Sequence, residues 1–214
     1  DNQADQLTLS PLLLDAFFRL SISIVESPDF NENSVGIWSN FFKRPAEDDD
    51  LPAELRKRIS RFLSLAFRGP VAAETINRYT SYALEKLNEG MLYNDTMKKL
   101  ASAVLSSPLF LYHYQPNTPE LQSFAIASNL SFFLWGSSPD AELLNLADSG
   151  ELTKPKILEK TTRRMLADPR IERFLDSFPS QWMQLENILA ATPDPTLHRY
   201  FSIDKEHPAS LQML

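Results

Sequence analysis

Apolar side chains return every three to four positions, segment after segment, and this period constrains the fold of the chain more than any other feature. Leu55, Ile59, Phe62, Leu63 and Ala66 recur at helical spacing, while Arg56, Lys57, Arg58 and Arg61 take the complementary positions, predicting one amphipathic helix. After a break at Gly69-Pro70, Ile76, Tyr79, Ala83 and Leu87 mark a second helix, with Gly90 placed for a left-handed C-terminal cap. A third begins at Asn94, with Met97, Leu100, Ala101, Val104 and Leu105 on its inner face. Stripes of this kind bury themselves against one another, so the sequence predicts an all-α fold, an irregular multi-helix array or bundle of about seven to nine helices. With 5 glycines against 15 prolines, the chain lacks the turn glycines that a barrel or sandwich needs.

The prolines punctuate helix starts. Thr118-Pro119-Glu120 supplies an N-cap, a first-turn proline and an acid favoured by the helix dipole, predicting a helix that runs to Trp135 and stops at Gly136. Its apolar residues, among them Phe124, Ile126, Leu130, Phe132, Phe133 and Leu134, surround the axis, which makes it the expected central, most buried helix. Ser138-Pro139-Asp140 opens a short successor ending at Gly150, and Thr153 opens another through Leu166. Asp168-Pro169-Arg170 starts a last long helix with Ile171, Phe174, Leu175, Phe178, Trp182 and Leu185 on one stripe. Phe133, Trp135, Phe178 and Trp182 are the expected core anchors.

This places an N-terminal helix and an exposed acidic connection in 1–50, a helical segment in 51–116, a compact helical segment in 117–191, and a proline-rich tail into a truncated helix in 192–214. The apolar stretch Leu7 to Val25 carries Asp15 and Arg19, each costing about 3 kcal/mol at a bilayer centre, and is expected to be a buried helix rather than a transmembrane span. The leading DNQADQ is acidic and does not resemble the basic start of a signal peptide, so the chain reads as a piece of a larger protein. Residues 37–51, with Lys43-Arg44-Pro45 and the acids Glu47 to Asp50, are expected to be an exposed connection.

A net charge of −7 opposes nucleic acid, and no nucleic-acid partner is expected. The absence of cysteine excludes disulfides, thiolate ligands and covalent haem c attachment within these residues. His113, His198 and His207 have no second ligand at helical spacing, so no metal site is expected. Phosphate loops, nucleophile elbows and His-Glu-x-x-His helices are absent.

Six residues are candidates for partner or ligand contact. His113, between Tyr112 and Tyr114, suits a haem axial ligand or general base, or a packed rim position among aromatics. Asp140, with Glu142 and Asp148, suits acid/base chemistry or helix capping. Arg164 and Arg170, grouped with Arg163 and Arg173, suit phosphate or an acidic partner, or ion pairs with acids such as Glu159, Glu172 and Asp176. Trp135 and Trp182 suit sugar stacking or, as expected here, core packing.

Four stretches carry a family resemblance: AFRGPV at 66–71, SSPLFLYHY at 106–114, IASNLSFFLWGSSPDAELLNLADSGEL at 126–152 and RRMLADPRIERFLDSFPSQWMQL at 163–185. Together they resemble the large cytochrome-c-associated exported proteins of planctomycetes and their bacterial relatives, built of domains of unknown function. The resemblance covers roughly residues 55–207 and rests most on the Phe-Leu-Trp-Gly-x-x-Pro-Asp and Asp-Pro-Arg elements. It implies a periplasmic or extracellular home, haem c in an adjoining domain with no cofactor in this segment, and partnership with adjoining domains or a redox protein. The chain departs from the family pattern at Gly69 and Asn129, where arginine is favoured, and near Gln122, Ser123 and Ala125, where acids are favoured. The expected function is a non-catalytic helical module of such a protein. The rival is part of an extracytoplasmic enzyme, polysaccharide-related or a haem-linked oxidoreductase, completed by other segments.

Overall fold

The computed structural model describes residues 10–46, 48–112, 118 and 121–183. Among them are ten α-helices, eight of seven residues or more, and no strand, so the fold is an all-α multi-helix array. The chain divides into two compact units, Asp1–Leu121 and Gln122–Leu214.

In the first unit, α1 (Pro11–Glu26) packs along α5 (Tyr93–Leu105), and α3 (Leu51–Ala66) and α4 (Ala73–Asn88) complete the packed group. The short helices α2 (Trp38–Phe41) and α6 (Pro108–Leu111) close its edges. The predicted stripes meet: Leu55, Ile59 and Leu63 from α3, Ala83 from α4, and Met97, Leu100, Ala101 and Val104 from α5 are all buried. Helix starts follow side-chain chemistry. Ser10 and Asp50 accept from the N–H groups of Leu13 and Ala53, each with proline in the first turn behind it.

Two expectations for this unit are corrected. The region 37–51 is not simply an exposed connection, because Phe41 and Phe42 are buried in the core, joined by Trp38, Phe30 and Phe62 in an aromatic cluster with Phe41 and Phe62 stacked at 4.1 Å. Consequently 1–50 and 51–116 share one core. Helix α1 exists where expected but is not a buried helix: only Ser21 and Val25 are buried, and Leu12, Leu13, Phe18, Leu20, Ile22 and Ile24 are exposed. One flank of an apolar-all-round helix is all that a single neighbour can cover. None of the described helices is long and apolar enough to cross a membrane.

In the second unit α7 (Gln122–Trp135) is the hub, packed against α8 (Ala141–Asp148), α9 (Pro155–Leu166), α10 (Glu172–Trp182) and the 3₁₀ turn Glu151–Thr153. Its core is smaller: Ala127, Leu134, Trp135, Leu143, Ala147, Leu152 and Met165. The buried side of α7 is rich in small residues, Ser123, Ala127, Ser128 and Ser131, and the Ser131 hydroxyl donates to the Ser137 carbonyl at 2.8 Å. Helix α9 starts at Pro155 with Lys154 before it, and Thr153 falls in the preceding 3₁₀ turn.

Among the described helices α7 is the most buried of its unit, though not of the chain, since α5 buries seven of its 13 residues against six of 14. Phe132 and Phe133 face outward, Phe133 at 55% exposure, because neighbours collect on the side where small residues allow close approach. Among the expected anchors, Trp135 is fully buried. Phe133, Phe178 and Trp182 are not core anchors, and Trp182 is 74% exposed. They form instead an exposed aromatic row: Phe133 meets Phe174 edge-on at 5.1 Å, Phe174 stacks on Phe178 at 4.9 Å, and Phe178 on Trp182 at 6.0 Å. The stripe at i, i+4 and i+8 is as the sequence predicts, but among the described rings outside α10 the helix face that bears it meets Phe133 alone.

Candidate functional site

Chain elements that carry the motifs converge on Trp135. Gly136, in the left-handed region at φ 57°, ends α7, and the chain turns through Pro139 to Asp140. Asp140 caps α8 with a 2.9 Å bond from the Leu143 N–H. The same carboxylate takes both Arg164 amino groups, at 2.8 and 3.3 Å, from the last turn of α9. Asp168 then caps the 3₁₀ turn Pro169–Ile171 and grips Arg170 with two side-chain bonds at 2.8 and 2.7 Å, which aims Arg170 back to Asp140 at 3.5 Å.

Both guanidiniums lie over the Trp135 ring, Arg170 at 3.4 Å and Arg164 at 5.5 Å from its centroid. The indole N–H donates to the Met165 carbonyl at 3.1 Å, and Arg173 donates to the Trp135 carbonyl at 3.1 Å. The Trp135 ring is therefore held by α9 and by the 3₁₀ turn, and its backbone carbonyl by α10. Arg164 Nε also pairs with Glu142 at 3.2 Å, in an alignment too poor for a hydrogen bond.

The electrostatics decide what this cluster can do. Burial works to raise the Asp140 carboxyl, but the Arg164 bond, the Leu143 N–H and the charges of Arg164 and Arg170 outweigh it and hold the group below the usual carboxylate range. Asp168 is lowered strongly, first by the Arg170 side-chain bond and then by the Arg170 backbone N–H. The hydrogen bond from Asp140 is the main cause that raises Arg164, and the one from Asp168 raises Arg170. A carboxylate kept ionised by two arginines is a poor proton shuttle at neutral pH, and arginines whose charges are already paired with Asp140, Glu142 and Asp168 are poor anion traps. Asp148, at the last position of α8, takes no part in the cluster.

Tyr112 lies in the other unit, where its carbonyl accepts from Arg68 at 2.8 Å; His113 and Tyr114 lie outside the described residues. Arg68, which joins Arg56 to Arg61 in a basic group that the sequence offers for phosphate or an acidic partner, or as a solvated helix face, lies in AFRGPV and is buried instead. It occupies the position after the α3 cap that glycine usually fills, with φ 61°, and the Gly69 N–H closes the helix on the Ser64 carbonyl at 3.0 Å. Left-handed backbone costs a non-glycine residue about 1–2 kcal/mol. In return the buried guanidinium reaches the carbonyls of Leu109, Phe110 and Tyr112, at 3.2, 3.0 and 2.8 Å, at the end of α6. Burial lowers its pKa, and its bonds hold AFRGPV against SSPLFLYHY. The sequence signal was present: a glycine one residue late for a helix cap.

Among the described residues no group of three or more His, Asp or Glu gathers to hold a metal ion. Of the departures from the family pattern, Asn129 is exposed, while Ser123 is buried with no hydrogen-bond partner for its hydroxyl among the described residues.

Comparison with known proteins adds two matches. Residues 54–114 match the family model PSD5, described as a protein of unknown function (DUF1595), and residues 121–213 match PSD4, described as a protein of unknown function (DUF1592). No curated protein and no solved structure matches the chain. The first match falls in the unit that Arg68 clamps and the second begins one residue before the unit built around Trp135. The chain thus matches, in order, models of two families whose function is unknown, neither over half of its length.

Proposed function

We propose that this chain is a non-catalytic helical module of a larger exported, cytochrome-c-associated protein, whose work is packing and contact rather than chemistry. One observation carries the reading: the polar residues of its most specific motifs, Asp140, Arg164, Asp168, Arg170 and Arg68, bind one another or backbone carbonyls of their own unit. Groups engaged in this way are structural ties, and an apolar row is left exposed in the same unit. Phe133, Phe178 and Trp182 offer an uncharged row of the composition found at the cores of protein contacts. The partners in this reading are adjoining domains of the same polypeptide or a redox protein, in a periplasmic or extracellular setting. Haem c would sit in an adjoining domain, since thioether attachment needs cysteine.

The test is the whole polypeptide. Its reading frame should encode a Cys-x-x-Cys-His motif, and the protein isolated from the extracytoplasmic fraction should show a haem c spectrum. A frame with no such motif, or a protein found only in the cytoplasm, would overturn the cytochrome-linked setting. Turnover that is lost with Asp140→Asn while the fold stays intact would overturn the non-catalytic reading and favour the enzyme.

A further inference from the structure

Helices α1, α4 and α5 do not close completely on one another, and a cleft of about 240 Å³ remains between them. We take as its floor the largely apolar part of the lining, Phe18, Ile22 and Val25 of α1, Tyr82 of α4 and Ala103 of α5. The hollow exists because α5 presents small residues here: Ala103 is short, and the Ser102 hydroxyl is turned back onto the Lys99 carbonyl at 2.9 Å. A dry apolar cavity of about 150 Å³ already accepts a benzene ring. This cleft therefore takes one ring or one branched aliphatic group with a short polar head, and is too small for a haem or a nucleotide.

Two opposite charges line the cleft, Glu26 at the end of α1 and Lys99 on α5. Both are exposed, and among the described residues neither belongs to an ion pair, with the other or with a third group. Several other charges on the same helices are engaged: Arg19 pairs with Asp15, Lys86 with Glu89, and Lys98 lies over the Phe30 ring. A ligand with one negative charge gains Lys99 but brings its carboxylate beside Glu26. A ligand with one positive charge meets the reverse problem. A zwitterion with an apolar tail uses both charges and the floor together.

We propose that this cleft binds a free α-amino acid with an apolar side chain, of the leucine or phenylalanine type, its carboxylate on Lys99, its ammonium on Glu26 and its side chain against Phe18, Ile22 and Ala103. The proposal stands apart from the cytochrome-linked reading and survives or fails without it.

Calorimetric and NMR titration of the full chain tests it. L-Phenylalanine and L-leucine bind with a Kd of about 1 mM, as suits ligands of this size. Phenylpropanoate, without the amine, and phenethylamine, without the carboxylate, bind about tenfold more weakly, because each leaves one charge-assisted bond unmade. Lys99→Gln and Glu26→Gln, both at exposed positions, weaken phenylalanine by about 3- to 10-fold with an unchanged circular dichroism spectrum. Ala103→Phe fills the hollow and removes binding; should that variant misfold, the two charge variants still decide. Absence of binding by either amino acid, or phenylpropanoate binding as well as phenylalanine, overturns the proposal. Tighter binding of a peptide that begins with phenylalanine also overturns it, in favour of a chain terminus as occupant.

Discussion

The two units solve the same problem, holding helices side by side, with different materials. The first rests on an apolar core that runs through α3, α4 and α5 and recruits the Phe30, Trp38, Phe41 and Phe42 cluster, with a single buried arginine fastening one edge. The second has fewer buried apolar residues and compensates with one tryptophan clasped by arginines and carboxylates, leaving aromatic side chains on its outside. Apolar burial is non-directional and tolerates shifts, whereas the polar clasp has fixed bond directions. Apart from its buried arginine, the first unit should therefore yield gradually to substitution, and it should be less sensitive to acid than the second. The second should fail at a few positions and weaken as carboxylates protonate.

The largest effect expected follows from that contrast. Trp135→Ala removes a fully buried ring and the surface on which two guanidiniums lie, and should cost the second unit about 3–5 kcal/mol. Residue-resolved hydrogen exchange would show α7 to α10 losing protection while α3 to α5 keep theirs. Equal loss in both units would mean that they do not fold as separate bodies.

The first unit has its own sensitive point. Arg68→Ala should cost about 2 kcal/mol, because three carbonyls lose a charged donor. Arg68→Gly should cost about 1 kcal/mol less than that, since glycine relieves the left-handed backbone while losing the same bonds. Denaturant titration of the pair separates the two contributions. Identical stabilities would show that the backbone conformation is unstrained.

Acid provides a third comparison. The folded pKa values of Asp140 and Asp168 are depressed, so the folded state binds fewer protons than the unfolded chain as pH falls. Their contribution is present above the unfolded value of about 4 and is lost as pH drops through it toward the lower folded values. In the first unit Glu54 is lowered too, first by the Lys57 bond, so among the described carboxylates that unit has one such contribution against two in the second. Asp140→Asn keeps the cap, because asparagine caps as well as aspartate, and removes only the charge. It should cost about 1 kcal/mol at neutral pH and flatten the acid dependence of the second unit's melting. An unchanged slope between pH 5 and pH 3 would place the acid sensitivity elsewhere.

What the sequence made legible, and what it concealed, divides along local and non-local lines. Helices at 51–66, 73–88 and 141–148, the stop at Gly136 and the Asp140 cap follow from spacing and capping chemistry, which act within one or two turns. Asp140, Arg164 and Arg170 were visible as candidates, but not that they meet one another across 24 to 30 residues of chain. Arg68 was visible as one of a basic group, but its clamping role was hidden because its partners are backbone carbonyls more than 40 residues away, which leave no mark on side-chain patterns. Helices α1 and α10 were misjudged for one reason: periodicity tells which face is apolar and not whether a neighbour arrives to cover it.

The smallest expected effect tests that last point. Trp182 sits on the apolar stripe of α10 as Trp135 sits on α7, and from sequence alone both are core anchors of equal weight. With Trp182 74% exposed and touching Phe178 alone among the described rings, Trp182→Ala should change stability by less than about 0.5 kcal/mol. A thermal melt of the full chain alongside Trp135→Ala gives the ratio directly. Should Trp182→Ala instead cost several-fold more, its ring is covered in solution and the aromatic row belongs to the core of the second unit. In that event the surface assigned to partner contact would disappear, and the remaining support for a contact role would rest on the outward flank of α1.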